Sequence, residues 1–227
     1  MEVGSCTAGW WLLQGNLVQI NSLISGHVRT GKLHCLVMIT GWRVCSFLWL
    51  TFFVLWMVAA VFTKRSAVRI SWQRGLRYGI PVVLGYYLMF SLKIDIPWLQ
   101  HRLFQRSESL DISAIVITIA GMLFAAWARI YLGRNWSSAP MIREQHELIR
   151  SGPYRLVRHP IYTGILLAMV GTFLANGKVR GLLAVMLVWL GWTIKSRMEE
   201  EFMVQTFGGQ YEEYRRTTGA LVPKLRS

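Results

Sequence analysis

The chemistry-bearing residues of this chain fall into two groups. One is a polar stretch running from His146 to Gly164, which carries His146, Glu147, Tyr154, Arg158, His159 and Tyr162. The other is the pair Glu199-Glu200, close behind the last apolar run. Unpartnered carboxylates next to a membrane helix end are costly, so such groups are expected to have work there. Carboxylates facing imidazoles and phenols suit a zwitterionic small molecule, with an ammonium on a Glu and a carboxylate on His or Arg. A solvated face with ordinary ion pairs is the plainer account of the same charges.

Other chemistries find no support. His146-Glu147-Leu148-Ile149-Arg150 misses the zinc-protease pattern, because Arg150 stands where the second His must be. No Cys lies near either His, which argues against zinc, and no metal is expected. Walker and GxGxxG loops are missing, so nucleotide phosphates have no obvious cradle. Ser151 has no base and orienting partner around it. Cys6, Cys35 and Cys45 read as incidental thiols, since they form no metal spacing and no disulfide framework.

The elements that must position these groups are membrane helices. The chain has 227 residues, 53% of them hydrophobic and 11 of them Trp, a composition suited to a bilayer. The net charge of +14 does not indicate nucleic acid, because the Lys and Arg flank apolar runs instead of forming a basic domain. Apolar runs at 44–62, 78–92, 112–132, 161–175 and 181–194 predict an all-α polytopic fold of about five transmembrane helices. Arg129 is expected to snorkel from the last turn of the third. The last two runs are short and separated only by Asn176-Gly177-Lys178-Val179-Arg180, which predicts a tight helical hairpin. Gly164, Ala168, Gly171 and Ala175 recur at helical spacing and predict close backbone approach; Gly164 is kept as a site candidate as well.

Gly152-Pro153 and His159-Pro160 break the polar stretch, so it cannot be one helix. Behind the hairpin, C-terminal helices are expected up to a stop at Gly208-Gly209 and again from Gln210 to about Thr217. Three regions follow: 1–37 as a poorly ordered extension, 38–132 as N-terminal membrane helices, and 133–227 as the catalytic region. With the N-terminus outside, sixteen Lys and Arg lie on inner segments against eight on outer ones. The positive-inside rule then places the polar stretch and the tail in the cytoplasm. The membrane would be the bacterial inner membrane or the endoplasmic reticulum.

These motifs resemble the isoprenylcysteine carboxyl methyltransferases and their bacterial relatives. The likeness rests on His146-x-Leu148-x-x-x-Gly152-x-Tyr154, Arg158-His159-Pro160-x-Tyr162-x-Gly164, Glu199-Glu200, Phe207-Gly208 and Tyr211-x-x-Tyr214. It covers roughly 129–223. The resemblance implies an integral-membrane enzyme that uses S-adenosylmethionine. It also implies that His146, Glu147, Leu148, Ile149, Tyr154, Arg158, His159, Pro160, Ile161, Tyr162, Gly164, Glu199 and Glu200 hold that cosubstrate. The family's substrate-orienting Arg falls here on Lys195, with Arg197 close by, and the two are weighed equally.

The activity implied is transfer of a methyl group to the carboxylate of a lipidic or prenylcysteine-like acceptor drawn from the membrane. Such a nucleophile is already ionised, so alignment and a dry site suffice. A phospholipid or lipid-amine N-methyltransferase is the alternative; it would need a base, for which His146 or Tyr154 is placed. A non-enzymatic membrane protein retaining the fold is the other. Product chemistry separates the first two, since methyl esters are base-labile and N-methyl groups are not.

Overall fold

The computed structural model describes residues 41–61, 71–91, 93–133 and 148–224. Among them the regular structure is helical: α1 (Gly41–Val61), α2 (Trp72–Phe90), α3 (Pro97–Gln100), α4 (Glu108–Leu132), α5 (Pro160–Asn176), α6 (Val179–Phe207) and α7 (Gly209–Thr217). The extension expected over 1–37, with Cys6 and Cys35, lies outside the described residues. The fold is all-α and polytopic. Three helices, α1, α4 and α6, are long and apolar enough to cross a membrane. Large side chains such as Phe47, Leu50, Val61, Ile130 and Met186 point outward from the bundle, as lipid-facing residues do. α5 has 17 residues, about 25 Å at 1.5 Å per residue, and falls short of a full bilayer core.

Helix ends follow local chemistry. Ser107 caps α4, its hydroxyl accepting from the Leu110 amide at 3.2 Å, so the helix begins at Glu108, ahead of the apolar run. Pro160 opens α5 at its first position, where no amide is needed. Gly177, left-handed at φ 65°, closes α5, its amide donating to Phe173 O. Only Gly177 and Lys178 separate α5 from α6, the tight turn expected of the hairpin. α6 then continues without a break through Lys195 to Phe207, so the acidic pair rides on the membrane helix itself.

Packing pairs α5 chiefly with α4, and α6 chiefly with α2. The α4–α5 seam is made of small residues: Ala114, Thr118, Gly121 and Ala125 face Gly164, Ala168 and Gly171. A Cβ on Gly121 would stand 2.4 Å from the Ala168 amide, and one on Gly164 would stand 2.6 Å from the Ala125 amide. Gly85 and Gly191 play the same part between α2 and α6. α1 joins through Trp49, whose indole N–H donates to Thr172 Oγ1 at 2.8 Å on α5. Arg129 does not snorkel to the surface: it is buried, with its guanidinium 4.2 Å from the Trp56 ring centroid. The free thiol Cys45 is buried in α1, 3.7 Å from the Thr118 hydroxyl.

This arrangement sets two ends. The start of α5, the last turns of α6 and the start of α2 share one end; the α5–α6 turn occupies the other.

Candidate active site

Site geometry begins with the two breaks in the polar stretch. Gly152 sits at φ 59°, and a Cβ there would press into the Tyr131 ring at 2.6 Å. Beside it the Tyr131 hydroxyl donates to Ser151 at 2.7 Å, which fixes a single 3-10 turn, Gly152–Arg155, against the end of α4. Tyr154 is buried in that turn, and its carbonyl accepts from the Tyr214 hydroxyl on α7. Burial pushes the Tyr154 and Tyr211 phenols up, and Tyr214 up to about 12, so all three remain donors in the neutral range.

The chain then runs extended beside the C-terminal segment. Arg158 N donates to Gly219 O at 2.8 Å, His159 N to Ala220 O at 3.1 Å, and Thr163 Oγ1 to Leu221 O at 2.8 Å. Pro160 disfavours helical geometry at its predecessor, and His159, at φ −123° and ψ 64°, stays outside the helix with its ring turned toward α6.

Trp192, Lys195 and Glu199 follow one another at three- and four-residue spacing, one stripe of α6, with Glu200 beside them. Tyr162 donates to Glu199 Oε1 at 2.7 Å. His159 lies between the two carboxylates, with Nδ1 3.5 Å from Glu199 Oε2 and Nε2 3.2 Å from Glu200 Oε1. Arg158 sets Nη2 at 2.6 Å and Nε at 2.9 Å on the same Glu200 oxygen. Its Nη1 donates to the carbonyls of Thr218 and Arg215. Arg215 Nε adds a contact to Glu200 Oε2 at 3.4 Å. The two carboxylates thus have separate duties. Glu200 is saturated by Arg158, His159 and Arg215 and anchors the fold, whereas Glu199 meets Tyr162, His159 and Lys195 at the mouth of the stripe.

An aromatic stack lines this mouth. Tyr162 lies flat between Trp192, at 4.5 Å and 4°, and His159, at 5.6 Å and 6°. Lys195 Nζ sits 5.3–5.5 Å from the ring centroids of Tyr162, Tyr78 and Trp192 and 3.7 Å from Glu199 Oε1. Trp192 Nε1 and Thr193 Oγ1 are buried with no hydrogen-bond partner among the described residues.

The structure therefore brings together Tyr154, Arg158, His159, Pro160, Tyr162, Lys195, Glu199 and Glu200. Leu148 and Ile149 are half-buried in irregular chain, while His146 and Glu147 lie outside the described residues. Ile161 packs against the hydrophobic core, and Gly164 faces α4 in the small-residue seam. Arg197 is exposed, two residues round the helix from Lys195. The sequence reading missed three residues, Trp192, Tyr78 and Arg215. Trp192 was findable, seven positions before Glu199 on the same stripe; Tyr78 comes from another helix and carries no such signal. No grouping of His, Cys, Asp and Glu fit to hold a metal ion occurs among the described residues.

The acid pair and the His-Pro turn, 40 positions apart in sequence, meet with the polarity expected of a small-molecule site. Residues 111–210 match the family model described as phospholipid methyltransferase. The matched segment holds Tyr154, Arg158, His159, Tyr162, Trp192, Lys195, Glu199 and Glu200, whereas Tyr78 precedes it and α7 from Tyr211 on, with the C-terminal clasp, lies beyond it. A probable protein-S-isoprenylcysteine O-methyltransferase of Oryza sativa is 37% identical over 103 residues, 44% of this chain and 54% of its own. Protein-S-isoprenylcysteine O-methyltransferase of Homo sapiens is 26% identical over 192 residues, 82% of this chain and 65% of its own. The chain spans about half the length of the plant relatives it matches. A solved structure of a eukaryotic intramembrane Ras methyltransferase aligns over 69% of this chain and 54% of its own, at 21% identity and TM-score 0.45.

Proposed function

We propose that this protein is an integral-membrane methyltransferase that uses S-adenosylmethionine to methylate a carboxylate on a lipidic, prenylcysteine-like acceptor. One observation carries the reading: Glu199 and Glu200 on α6 fold onto His159 and Tyr162 at the start of α5, with Tyr162 bonded to Glu199 at 2.7 Å. The relatives named O-methyltransferases support it.

The residues present fit that cosubstrate. Glu199 is a carboxylate with spare lone pairs in a half-buried setting, suited to an ammonium, and the flat rings of Tyr162 and Trp192 suit a cationic or planar group. When bound, S-adenosylmethionine supplies an electrophilic methyl group: the acceptor oxygen bonds to its carbon as the carbon–sulfur bond breaks onto sulfur, and no proton moves. The protein's share is alignment and dryness. His159 and Arg158 hold Glu200 and so fix the base of the site, while Tyr162 orients Glu199. We assign Leu148 and Ile149, half-buried ahead of the 3-10 turn, to the same site on the family resemblance, with His146 and Glu147 just before them in sequence. Lys195, not the exposed Arg197, faces the site and is the group to hold the acceptor's acidic end. A positive lysine there disfavours a cationic amine acceptor and favours an anionic one.

The charge distribution supports a cytoplasmic position for this end of the bundle, with residues 133–227 as the catalytic region. Incubation of membranes with methyl-labelled S-adenosylmethionine tests the reading. Label should enter the lipid-soluble or prenylated fraction and leave as methanol in mild alkali. Alkali-stable label in phospholipid would replace this reading with N-methylation.

A further inference from the structure

The surroundings of Lys195 form a site for a cation in their own right. Three aromatic rings, Tyr78, Tyr162 and Trp192, stand within 5.5 Å of one point, and the Glu199 carboxylate closes the fourth side at 3.7 Å. Rings at this range attract a positive centre through their negative faces, and a cage of them is the way proteins recognise alkylated cations. The frame is stiff: Tyr162 is clamped between Trp192 and His159 and bonded to Glu199. What fills it is not. Lys195 reaches the point on a flexible four-carbon stem, and its 3.7 Å separation from Glu199 is too long for a hydrogen bond.

We propose that Tyr78, Tyr162, Trp192 and Glu199 form a slot for the sulfonium centre of the cosubstrate, and that Lys195 occupies this slot until the cosubstrate displaces it. The inference rests on the reading of the site as one for S-adenosylmethionine and assigns the residues that recognise its charge. Two positive centres cannot share one cage, so cosubstrate binding expels the lysine. The freed ammonium is then available to the acceptor's carboxylate, which makes the cosubstrate the first to bind. After transfer the sulfur is neutral, its attraction to the cage is gone, and Lys195 returns and assists product release.

The test compares S-adenosylmethionine with S-adenosylhomocysteine, which lacks the methyl group and the sulfonium charge, by calorimetry on the detergent-solubilised full chain. Lys195→Met should tighten binding of S-adenosylmethionine by about tenfold while leaving S-adenosylhomocysteine within about twofold. Tyr78→Leu, which removes one wall without touching the lysine, should lower the preference for the charged ligand by a similar factor. An unchanged ratio of the two affinities in Tyr78→Leu overturns the slot, whether or not Lys195→Met folds. Failure of the wild-type protein to bind either ligand sinks the methyltransferase reading itself, so the two failures are separate.

Discussion

Tyr162 on α5 and Glu199 on α6 are joined phenol to carboxylate across 2.7 Å, and this bond links the His-Pro turn to the acid pair. Because Tyr162 is also stacked on Trp192 and His159, the carboxylate is held in place by rings that cannot rotate freely. Substitution here separates charge from shape. Glu199→Gln retains an oxygen for Tyr162 and removes the charge. A hydrogen bond to a charged group contributes about 1.5–3 kcal/mol, so affinity for S-adenosylmethionine should fall roughly 10- to 100-fold with little change in melting temperature. Titration calorimetry checks it; binding at wild-type strength would remove Glu199 from the site.

Arg158 has a different task. It spends three nitrogens on Glu200 and on the carbonyls of Arg215 and Thr218, tying the start of α5 to the C-terminal segment. Both partners of the pair are about nine-tenths buried. Removing one side of such a pair leaves a buried charge and costs about 3–5 kcal/mol. Arg158→Met should therefore lower stability and open the chain beyond Gly208 to protease. Arg158→Lys should recover little, since a single ammonium cannot reach three acceptors.

Alkali should loosen the same clasp. Burial raises the Tyr214 phenol from its ordinary value near 10 to about 12, against the lowering charges of Arg158 and Arg150. A raised phenol stabilises the fold in its protonated form. That contribution is whole below pH 10 and is lost as pH rises through 12. Thermal melts between these values should show a fall that Tyr214→Phe reduces.

The α4–α5 seam gives a stability prediction that involves no chemistry. Gly121→Val or Gly164→Val would set side-chain carbon against the facing backbone, because even a Cβ at these positions stands 2.4–2.6 Å from main-chain atoms. Overpacking of this kind costs about 1–3 kcal/mol or prevents the helices from docking. Gly75→Ala and Gly79→Ala on α2 meet nothing within 4 Å and should be neutral or slightly stabilising. Denaturation in detergent separates the two classes. Equal effects at all four positions would mean that α4 and α5 do not approach so closely.

Much of this was legible in the chain. The Gly-Pro and His-Pro breaks, the turn at Gly177, and the stop at Gly208 are local signals, and each stands where its residue type demands. The helical spacing of Lys195 and Glu199 placed them on one stripe. What could not be read was pairing. The small residues of α5 announced a close neighbour without naming it, and α4 proved to be that neighbour. The aromatic wall was hidden for the same reason: Tyr78 meets Lys195 only because α2 packs on α6, a long-range choice with no periodic trace. Arg129 was misjudged because a lone Arg near a helix end gives no hint of the Trp56 ring awaiting it.

Lys195 and Arg197 were equivalent as sequence, and the helix separates them. Two residues apart on α6, they point to different sides: Lys195 lies among Tyr78, Tyr162 and Trp192, and Arg197 is exposed. Only the first can reach an acceptor held beside Glu199. Arg197→Ala should leave kcat and the acceptor KM within about twofold, as surface substitutions do. Lys195→Ala removes a charge-assisted contact and should raise the acceptor KM by about tenfold or more, at about 1.5–3 kcal/mol for such a bond. Lys195→Arg distinguishes charge from cage. It restores a cation able to grip a carboxylate with two parallel bonds, so the acceptor KM should recover to wild type or below. Steady-state kinetics with saturating S-adenosylmethionine measure all three. A rise in acceptor KM with Arg197→Ala and none with Lys195→Ala would reverse the assignment.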